Sequence, residues 1–312
     1  MISKFVLFLK TAEGASRRNK LLLKNIFEIS DGVVYDLYMK IIDTHSHLGF
    51  KAYDADRDEV IKRTQEEGLV CIDVGTNFKT SERVIELAEK NKNIYSAIGM
   101  HPIHIKTDLV KIKMDEEEGA FMPSGEEFDK EKYKKIALSS KKVVAIGEIG
   151  LDYYYRPKTK IRLEEFKKLQ KELFIKQLDL AEELNLPVII HCRMAFEDVY
   201  EILKDMNLKG VIHCFTGSWE VAQKFIDLGF YLGINGIIYK MDLTEVIKNA
   251  PLEKLLVETD CPYLTPTAEG KDKRNEPIFV KHVIQKIADL KGLTFDQVVE
   301  VTTANAKQLF KI

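Results

Sequence analysis

The stretch "MKIIDTHSHLGF" (39–50) joins a short apolar run to a polar segment in which Asp43, His45 and His47 alternate. The isoleucine pair at the start of the stretch predicts a short buried strand. On an extended chain, residues two apart point to the same side, so this strand end aims both imidazoles at one point. Neutral imidazole is the commonest metal-ligating side chain. The stretch therefore predicts half of a metal site, the alternative being a polar turn with two incidental histidines.

Apolar runs of the same kind recur along the chain and decide the fold class. They are rich in Val and Ile and apolar throughout, which is typical of strands buried on both faces of a parallel sheet. Charged stretches with helical spacing separate most of them. Eight such units over about 250 residues predict a (β/α)8 TIM barrel. The alternative is a doubly wound open sheet, but no Gly-rich phosphate loop follows the first strand. The runs are 40–43, 69–75, 94–99, 143–148, 187–192, 211–215, 231–236 and 255–260.

The remaining segments lie outside this repeat. Two C-terminal helices are predicted near 276–290 and 294–310, the second with a capping box of Thr294 and Gln297. We predict one domain over 39–312. We predict that residues 1–38 are an N-terminal extension outside the fold. On this interpretation Met39 is the natural start, and the extension results from a translation start that was assigned too far upstream. An intact Met1 in the natively expressed protein, found by mass spectrometry, would contradict this.

A Gly-, Pro- and acid-containing stretch, 106–127, follows the third apolar run. It predicts an exposed insertion. A solvated surface loop and a lid over the mouth of the barrel are the two interpretations of that insertion.

Composition limits the function classes. The chain has 312 residues with 47 basic and 49 acidic side chains, a net charge of −2, so no global polycation is available to hold nucleic acid. Its four cysteines form no C-x-x-C pair. No secretory signal is visible, and no run approaches the ~20 apolar residues of a membrane span. We expect a cytoplasmic, monomeric protein with no membrane partner.

Polar side chains stand at the C-terminal ends of five of the apolar runs. In a parallel barrel these ends gather on one face, where active sites lie. Four histidines and two carboxylates are too many for one tetrahedral zinc site, and they suit two divalent ions bridged by a carboxylate and a water. Imidazole donors favour Zn, Mn, Fe or Co over Mg. For any one histidine, the alternative is a hydrogen-bonded core residue. The six residues are His45, His47, Glu148, His191, His213 and Asp260.

Two ions that share a water lower its pKa and produce hydroxide near neutral pH, and they stabilise charge on the attacked oxygen. Hydrolysis of a phosphate ester or a carbonyl compound is therefore predicted. Cys192, Cys214 and Cys261 each follow a predicted ligand directly. Neighbours on a strand point to opposite faces, so we predict packing residues there rather than thiolate ligands.

Seven ordered motifs then carry a family resemblance. They are "IDTHSHL", "GMHP", "AIGEIGLDYYY", "PVIIHCR", "HCFTGS", "LLVETDCPYLTP" and "RNEP". With them, the chain from about 39 to 312 resembles the TatD-related metal-dependent hydrolases, many of which are described as deoxyribonucleases. The resemblance implies a barrel of the amidohydrolase-like superfamily that holds two divalent metal ions.

The resemblance also implies a division of the ligands. One ion would be held by His45, His47, Glu148 and Asp260, and the other by Glu148, His191 and His213. Glu148 would bridge the two ions. Asp260 would orient or deprotonate the attacking water, which makes Asp260 and Glu148 the predicted catalytic residues.

Candidate substrate contacts lie beside these motifs. Arg193 lies two residues after a predicted ligand and has the donor fork that clamps phosphate. Arg274 is a second phosphate candidate, the alternative being a salt bridge with Glu276. Tyr153 to Tyr155 are predicted to stack on bases, with Tyr153 as the chosen contact, and the alternative is that these aromatics cap a barrel loop. His101 in "GMHP" is predicted to support the ligands without binding the metal.

The sequence thus predicts a metal-dependent phosphodiesterase, an exonuclease acting on DNA ends. The alternative on the same site is hydrolysis of another small ester or amide substrate, such as deacylation of D-aminoacyl-tRNA, because a bridged hydroxide attacks carbon and phosphorus centres alike. A third interpretation is a non-catalytic binding protein, against which the complete set of six ligands argues.

Overall fold

The structure, a computed structural model, describes residues 41–110, 124–270 and 273–312. Its strands form a single parallel sheet in which each strand pairs with the next along the chain. The predicted (β/α)8 TIM barrel is confirmed. The strands are β1 (Ile42–Ser46), β2 (Val70–Val74), β3 (Ile94–Ile98), β4 (Val143–Asp152), β5 (Val188–Arg193), β6 (Gly210–Ile212), β7 (Tyr231–Ile234) and β8 (Leu255–Val257).

The barrel closes where the first strand meets the chain that follows the last strand. Ser46 and Cys261 form an isolated parallel bridge. The His47 backbone N–H donates to the Cys261 carbonyl at 2.9 Å, and the Asp260 N–H donates to the His45 carbonyl at 2.8 Å. The seam of the barrel therefore runs directly through the segment that carries three of the six predicted ligands.

Asp43, on β1, stabilises the same seam by hydrogen bonds to the segment after β8. Its carboxylate accepts hydrogen bonds from the backbone N–H of Thr259 at 2.9 Å and from the Thr259 hydroxyl at 2.6 Å. Asp43 is fully buried, and this burial raises its pKa to about 8, although the bonds from Thr259 act in the opposite direction. The alternating acid of the first motif is therefore a structural link between the two ends of the sheet.

Nine α-helices lie within the described residues, and those before β8 connect successive strands. The capping box of Thr294 and Gln297 is confirmed. The first C-terminal helix begins at Val280 instead of 276, because Pro277–Phe279 form a 3₁₀ turn. The helices are α1 (Arg57–Glu66), α2 (Phe78–Lys90), α3 (Lys130–Ala137), α4 (Lys160–Leu184), α5 (Phe196–Leu203), α6 (Trp219–Asp227), α7 (Thr244–Asn249), α8 (Val280–Lys291) and α9 (Phe295–Phe310).

The hydrophobic core has two main parts. Inside the barrel, mostly β-branched residues from the strand starts pack together with Phe310 of the last helix, and they include Ile42, Ile72, Ile189 and Val211. A larger cluster fills the space between the sheet and the surrounding helices. Interiors of this kind are packed solid and leave the carboxyl ends of the strands free for polar residues.

Two predicted segments can be compared with the structure only in part, or not at all. The N-terminal extension, 1–38, and the central part of the 106–127 insertion, residues 111–123, lie outside the described residues, so the interpretations given to them stay predictions. The two flanks of the insertion meet, since Ile105 and Glu126 form a parallel bridge. In the part of the chain that the structure describes, no helix is both long and apolar enough to cross a membrane.

Candidate metal centre

The six predicted ligands converge on one point at the carboxyl ends of the strands. They come from five parts of the barrel, and Glu148 lies among all the others. Side-chain exposure is 5% or less for four of them and reaches only 15% for Asp260 and 18% for His191. The barrel therefore gathers in one pocket the residues that the sequence scatters along the chain.

The first cluster of ligand atoms contains His45 Nε2, His47 Nε2, Glu148 Oε2 and Asp260 Oδ1. The two Nε2 atoms lie 3.1 Å apart. Glu148 Oε2 lies 3.6 and 3.8 Å from them, and Asp260 Oδ1 lies 3.7 and 3.4 Å from them. Ligands about 2.1 Å from a tetrahedral ion are separated by about 3.4 Å. The spacing of the first cluster therefore fits a single divalent ion.

The ring nitrogens of this cluster support the same interpretation. His47 Nδ1 lies 2.8 Å from the Val74 carbonyl and must donate its proton there, which leaves the lone pair of Nε2 directed into the cluster. His45 Nδ1 is buried without a hydrogen-bond partner in the described residues. Burial and the nearby His213 lower the pKa of His45, so this ring favours the neutral form that a metal ligand needs.

The second cluster contains Glu148 Oε1, His191 Nδ1 and His213 Nε2. Glu148 Oε1 lies 2.9 Å from His191 Nδ1 and 3.0 Å from His213 Nε2. One oxygen of Glu148 thus faces the first cluster and the other faces the second. Gly150 keeps β4 close to β5 here, since a Cβ at its φ of 143° would collide with the His191 carbonyl oxygen.

Sequence analysis missed two buried carboxylates behind the second cluster. Asp152 Oδ2 lies 3.0 Å from His191 Nε2, and Glu258 Oε1 lies 3.2 Å from His213 Nδ1. Signals were present, since Asp152 is the acid of "GLD" and Glu258 the first acid of "VETD". The pairing itself joins β4 to β5 and β6 to the end of β8, so local sequence could not reveal it.

The neighbouring imidazoles favour the charged forms of Glu148 and Asp260. Burial opposes the charged form of Glu148, but the imidazoles of His101 and His213 hold its pKa well below the usual range. Burial also opposes ionisation of Asp260, and the neighbouring His47 and His213 lower its pKa. Asp260 is held in a left-handed conformation with φ of 57°, which turns its side chain toward the histidines. Both groups are therefore ready to bind cations.

His101 touches the second cluster from outside. Its Nδ1 accepts a hydrogen bond from the Ile103 N–H at 3.0 Å, and its ring packs edge-on against His191 with centroids 4.2 Å apart. Its Nε2 lies 3.6 Å from Glu148 Oε1. These contacts are compatible with the supporting role predicted for it.

The cysteines follow the packing interpretation. Cys192 lies in the cluster between the sheet and the helices. Burial raises the pKa of the Cys214 thiol to about 12, and its Sγ lies 3.7 Å from the Asn235 amide oxygen. Across the described residues, no cysteine joins a group of side chains that could hold a metal ion.

The structure separates the candidate substrate contacts. The Arg193 guanidinium carbon lies 3.7 Å from the Tyr154 ring centroid and 5.7 Å from that of Tyr155, and it has no ion-pair partner among the described residues. Tyr153, in contrast, is only 4% exposed and donates its hydroxyl to Asp198 at 2.8 Å. Base stacking by Tyr153 is not supported by this buried position. The tyrosine presented to solvent is Tyr154, which is 51% exposed.

The contacts of Arg274 correspond to the salt-bridge alternative. Its two terminal nitrogens bind both oxygens of Asp56 at 2.8 and 2.7 Å, and one of them lies 3.3 Å from Glu276. The same guanidinium lies 4.2 Å above the Tyr53 ring and donates to the Ala52 carbonyl. These partners occupy both terminal nitrogens, and Nε is buried without a hydrogen-bond partner in the described residues, which leaves little capacity for a phosphate.

Replacing Arg274 with alanine is therefore expected to reduce stability more than substrate affinity. The variant loses charge-assisted hydrogen bonds at a partly exposed site, which corresponds to about 1–2 kcal/mol of unfolding free energy. Urea denaturation measures the loss, with the exposed Arg162→Ala as control. A large rise in KM at unchanged stability would contradict this structural role.

Comparison with known proteins agrees with the fold and the centre. A family model described as TatD related DNase matches residues 42–311. The metal-dependent hydrolase YabD of Bacillus subtilis is 42% identical over 279 residues, 87% of this chain and 99% of that protein. The 3'-5' ssDNA/RNA exonuclease TatD of Salmonella typhimurium is 32% identical over 284 residues, 87% of this chain and 99% of that protein. The solved structure of YJJV, a TatD homologue of Escherichia coli, has a TM-score of 0.72 at 28% identity and covers 87% of this chain and 98% of its own.

A parallel barrel with clustered histidines and carboxylates at its strand ends, together with these relatives, defines a metal-dependent hydrolase that acts on ester bonds. The chain belongs to the TatD-related DNase family, whose model spans most of its length. The resemblance carried by the seven motifs is thereby confirmed.

Proposed function

We propose that this protein is a phosphodiesterase that removes nucleotides from the ends of single-stranded DNA with the help of two divalent ions. The observation that carries the proposal is the position of Glu148, whose two oxygens each face a separate cluster of imidazole nitrogens. The exonuclease named among the relatives supports the choice of substrate.

In this proposal, the first cluster would hold one ion through His45, His47, Glu148 and Asp260. The second cluster would hold the other through Glu148, His191 and His213. When bound, the two ions would lower the pKa of a shared water and stabilise negative charge on the attacked oxygen. Zn, Mn, Fe and Co suit the imidazole donors better than Mg.

The protein's own residues supply the remaining chemistry. Burial opposes the charge of Asp260, but the neighbouring histidines lower its pKa; the side chain lies at the edge of the first cluster and is more exposed than Glu148, so its carboxylate can accept a proton from an attacking water. Arg193 lies two residues beyond His191 and carries a positive charge with no acidic partner in the described residues. Its planar donor fork can hold the scissile phosphate against the centre.

The test uses the full-length protein with 3′-labelled and 5′-labelled single-stranded DNA and added Mn²⁺ or Mg²⁺. The His191→Ala variant, which lacks a ligand of the second cluster, controls for contaminating nucleases. Stepwise loss of nucleotides from one end, absent with the variant, is the expected result and also gives the direction of cleavage. No cleavage by a protein shown to bind metal would reject DNA and favour a carbonyl ester or amide substrate.

Replacing Arg193 with alanine is expected to weaken single-stranded DNA binding by about 10- to 100-fold while metal binding stays unchanged. The reason is the loss of charge-assisted hydrogen bonds to a phosphate. Fluorescence anisotropy with labelled oligonucleotide measures the binding, and Arg162→Ala is a matched surface control. Arg193→Lys keeps the charge but loses the fork, so an intermediate effect is expected. Equal loss of metal and DNA binding would instead indicate a structural role for Arg193.

Tyr154 is the neighbouring substrate candidate. Its exposed ring supports the guanidinium of Arg193 and stands next to the mouth of the barrel. A cytoplasmic location and a monomeric state stay predictions of the sequence.

A further inference from the structure

We propose that Asp152 and Glu258 are positioning residues that fix the imidazoles of the second cluster and so set the affinity of one of the two ions. The inference rests on the proposed two-ion function and deepens it. In the proposed two-ion centre, Asp152 and Glu258 do not bind an ion themselves. The effect of replacing them can therefore be separated from the effect of losing a metal ligand.

Each imidazole of the second cluster lies between two carboxylates. His191 faces Glu148 through Nδ1 at 2.9 Å and Asp152 through Nε2 at 3.0 Å. His213 faces Glu148 through Nε2 at 3.0 Å and Glu258 through Nδ1 at 3.2 Å. A carboxylate that accepts the N–H on the far side of a ring keeps the proton off the ligand nitrogen, fixes the ring and raises its basicity.

Asp152 is itself held in place from several directions. It is 5% exposed, and its backbone exchanges two hydrogen bonds with the Gln170 side chain at 2.8 and 2.9 Å. Its other carboxylate oxygen, Oδ1, accepts the Tyr154 N–H at 2.8 Å. The same side chain therefore orients a ligand of the second cluster and the start of the loop on which Arg193 stacks.

Glu258 is also preorganised. It is fully buried, and its Oε1 accepts hydrogen bonds from the Cys214 N–H at 2.7 Å and from the Asn235 amide at 3.1 Å. Gly233 leaves the space for the carboxylate, since a Cβ there would collide with Glu258 Oε2. Two fixed donors and a tight cradle thus keep one oxygen at His213.

The first cluster has no such support. His47 Nδ1 is bonded to a neutral carbonyl, and His45 Nδ1 lacks a hydrogen-bond partner in the portion of the chain that is described. Removing Asp152 or Glu258 should therefore loosen only one of the two ions. This selectivity distinguishes positioning from general destabilisation of the barrel.

A third metal ion is the competing interpretation of Asp152, because ligand atoms of His101, Asp152 and His191 all lie within 4.8 Å of one another. That ion would require His191 to lose both ring protons and bind through both nitrogens. It would also compete with the hydrogen bond that His101 Nδ1 accepts from Ile103. The geometry therefore favours a hydrogen bond between Asp152 and His191 over a shared ion.

The experiment titrates Mn²⁺ into metal-free, full-length protein by isothermal titration calorimetry, with bound manganese counted by elemental analysis. The variants are Asp152→Asn and Glu258→Gln. Their amides can donate to the far ring nitrogen, which favours the tautomer with the proton on the ligand nitrogen. The control is Asp198→Asn, which alters a nearby carboxylate bonded to Tyr153 and Lys171. Circular dichroism establishes whether each variant is folded. If Glu258→Gln does not fold, the result for Asp152→Asn alone tests the inference.

The wild type and the control are expected to bind two ions. In each test variant, one affinity should fall by about 10- to 100-fold while the other stays unchanged. Unchanged affinities in Asp152→Asn, or equal losses at both positions, would overturn the inference and leave the proposed function intact. Binding of three ions by the wild type, with one lost in Asp152→Asn, would overturn it in favour of a ligand role. A wild type that binds no ion would overturn the proposed function and the inference together.

Discussion

Replacing Glu148 with glutamine is expected to reduce kcat/KM on single-stranded DNA by about a thousandfold or more. Both carboxylate oxygens of Glu148 face imidazole nitrogens, one in each cluster. The amide has one oxygen and no charge, so it can serve one cluster at most. Loss of the charge stabilisation that a bound ion supplies corresponds to several kcal/mol, and each 1.4 kcal/mol is about tenfold in rate.

The measurement for Glu148→Gln combines turnover on labelled oligonucleotide with a count of bound Mn²⁺. Glu67→Gln is the matched control, because Glu67 is an exposed acid paired with Lys281 away from the centre. Reduced metal content should accompany the lost activity. Turnover equal to that of the control would show that Glu148 does not link the two clusters.

Replacing Asp260 with asparagine is the second large effect expected. The variant keeps an oxygen that can face the first cluster but loses the group proposed to accept a proton. A proton acceptor of this kind contributes about 100- to 10,000-fold to rate, so kcat should fall by that amount. Substrate affinity should change little, since Asp260 is not a proposed phosphate contact.

Single-turnover kinetics separates these two quantities for Asp260→Asn. Asp56→Asn provides a control, because Asp56 is an acid that pairs with Arg274 and lies outside both clusters. A variant that loses DNA affinity but keeps its rate would assign Asp260 to substrate binding instead of proton transfer.

The barrel and the six central residues were predictable because two periodic signals coincide. Apolar runs that lack alternation indicate strands buried on both faces, and polar residues stand where those runs end. His191 and His213 could be placed in one pocket without knowledge of any contact between them. Parallel topology alone brings such strand ends together.

Other features depend on contacts that no local pattern encodes. The choice between Tyr153 and Tyr154 depends on where β4 ends, and that strand continues to Asp152, beyond its apolar run. Once the chain leaves the strand, alternation no longer says which ring points outward. The occupied terminal nitrogens of Arg274 follow in the same way from Asp56, an acid more than 200 residues away.

Because of the seam between β1 and the segment after β8, the proposed centre depends on one of the last parts of the chain to be synthesised. Thr259 and His45 lie 214 residues apart, and the first cluster is complete only when the segment after β8 has joined β1. The second cluster draws its ligands from β4 and from the ends of β5 and β6, which leave the ribosome earlier. A chain interrupted before β8 would lack the acid proposed to move the proton. The proposed nuclease activity would then require a chain that extends past β8.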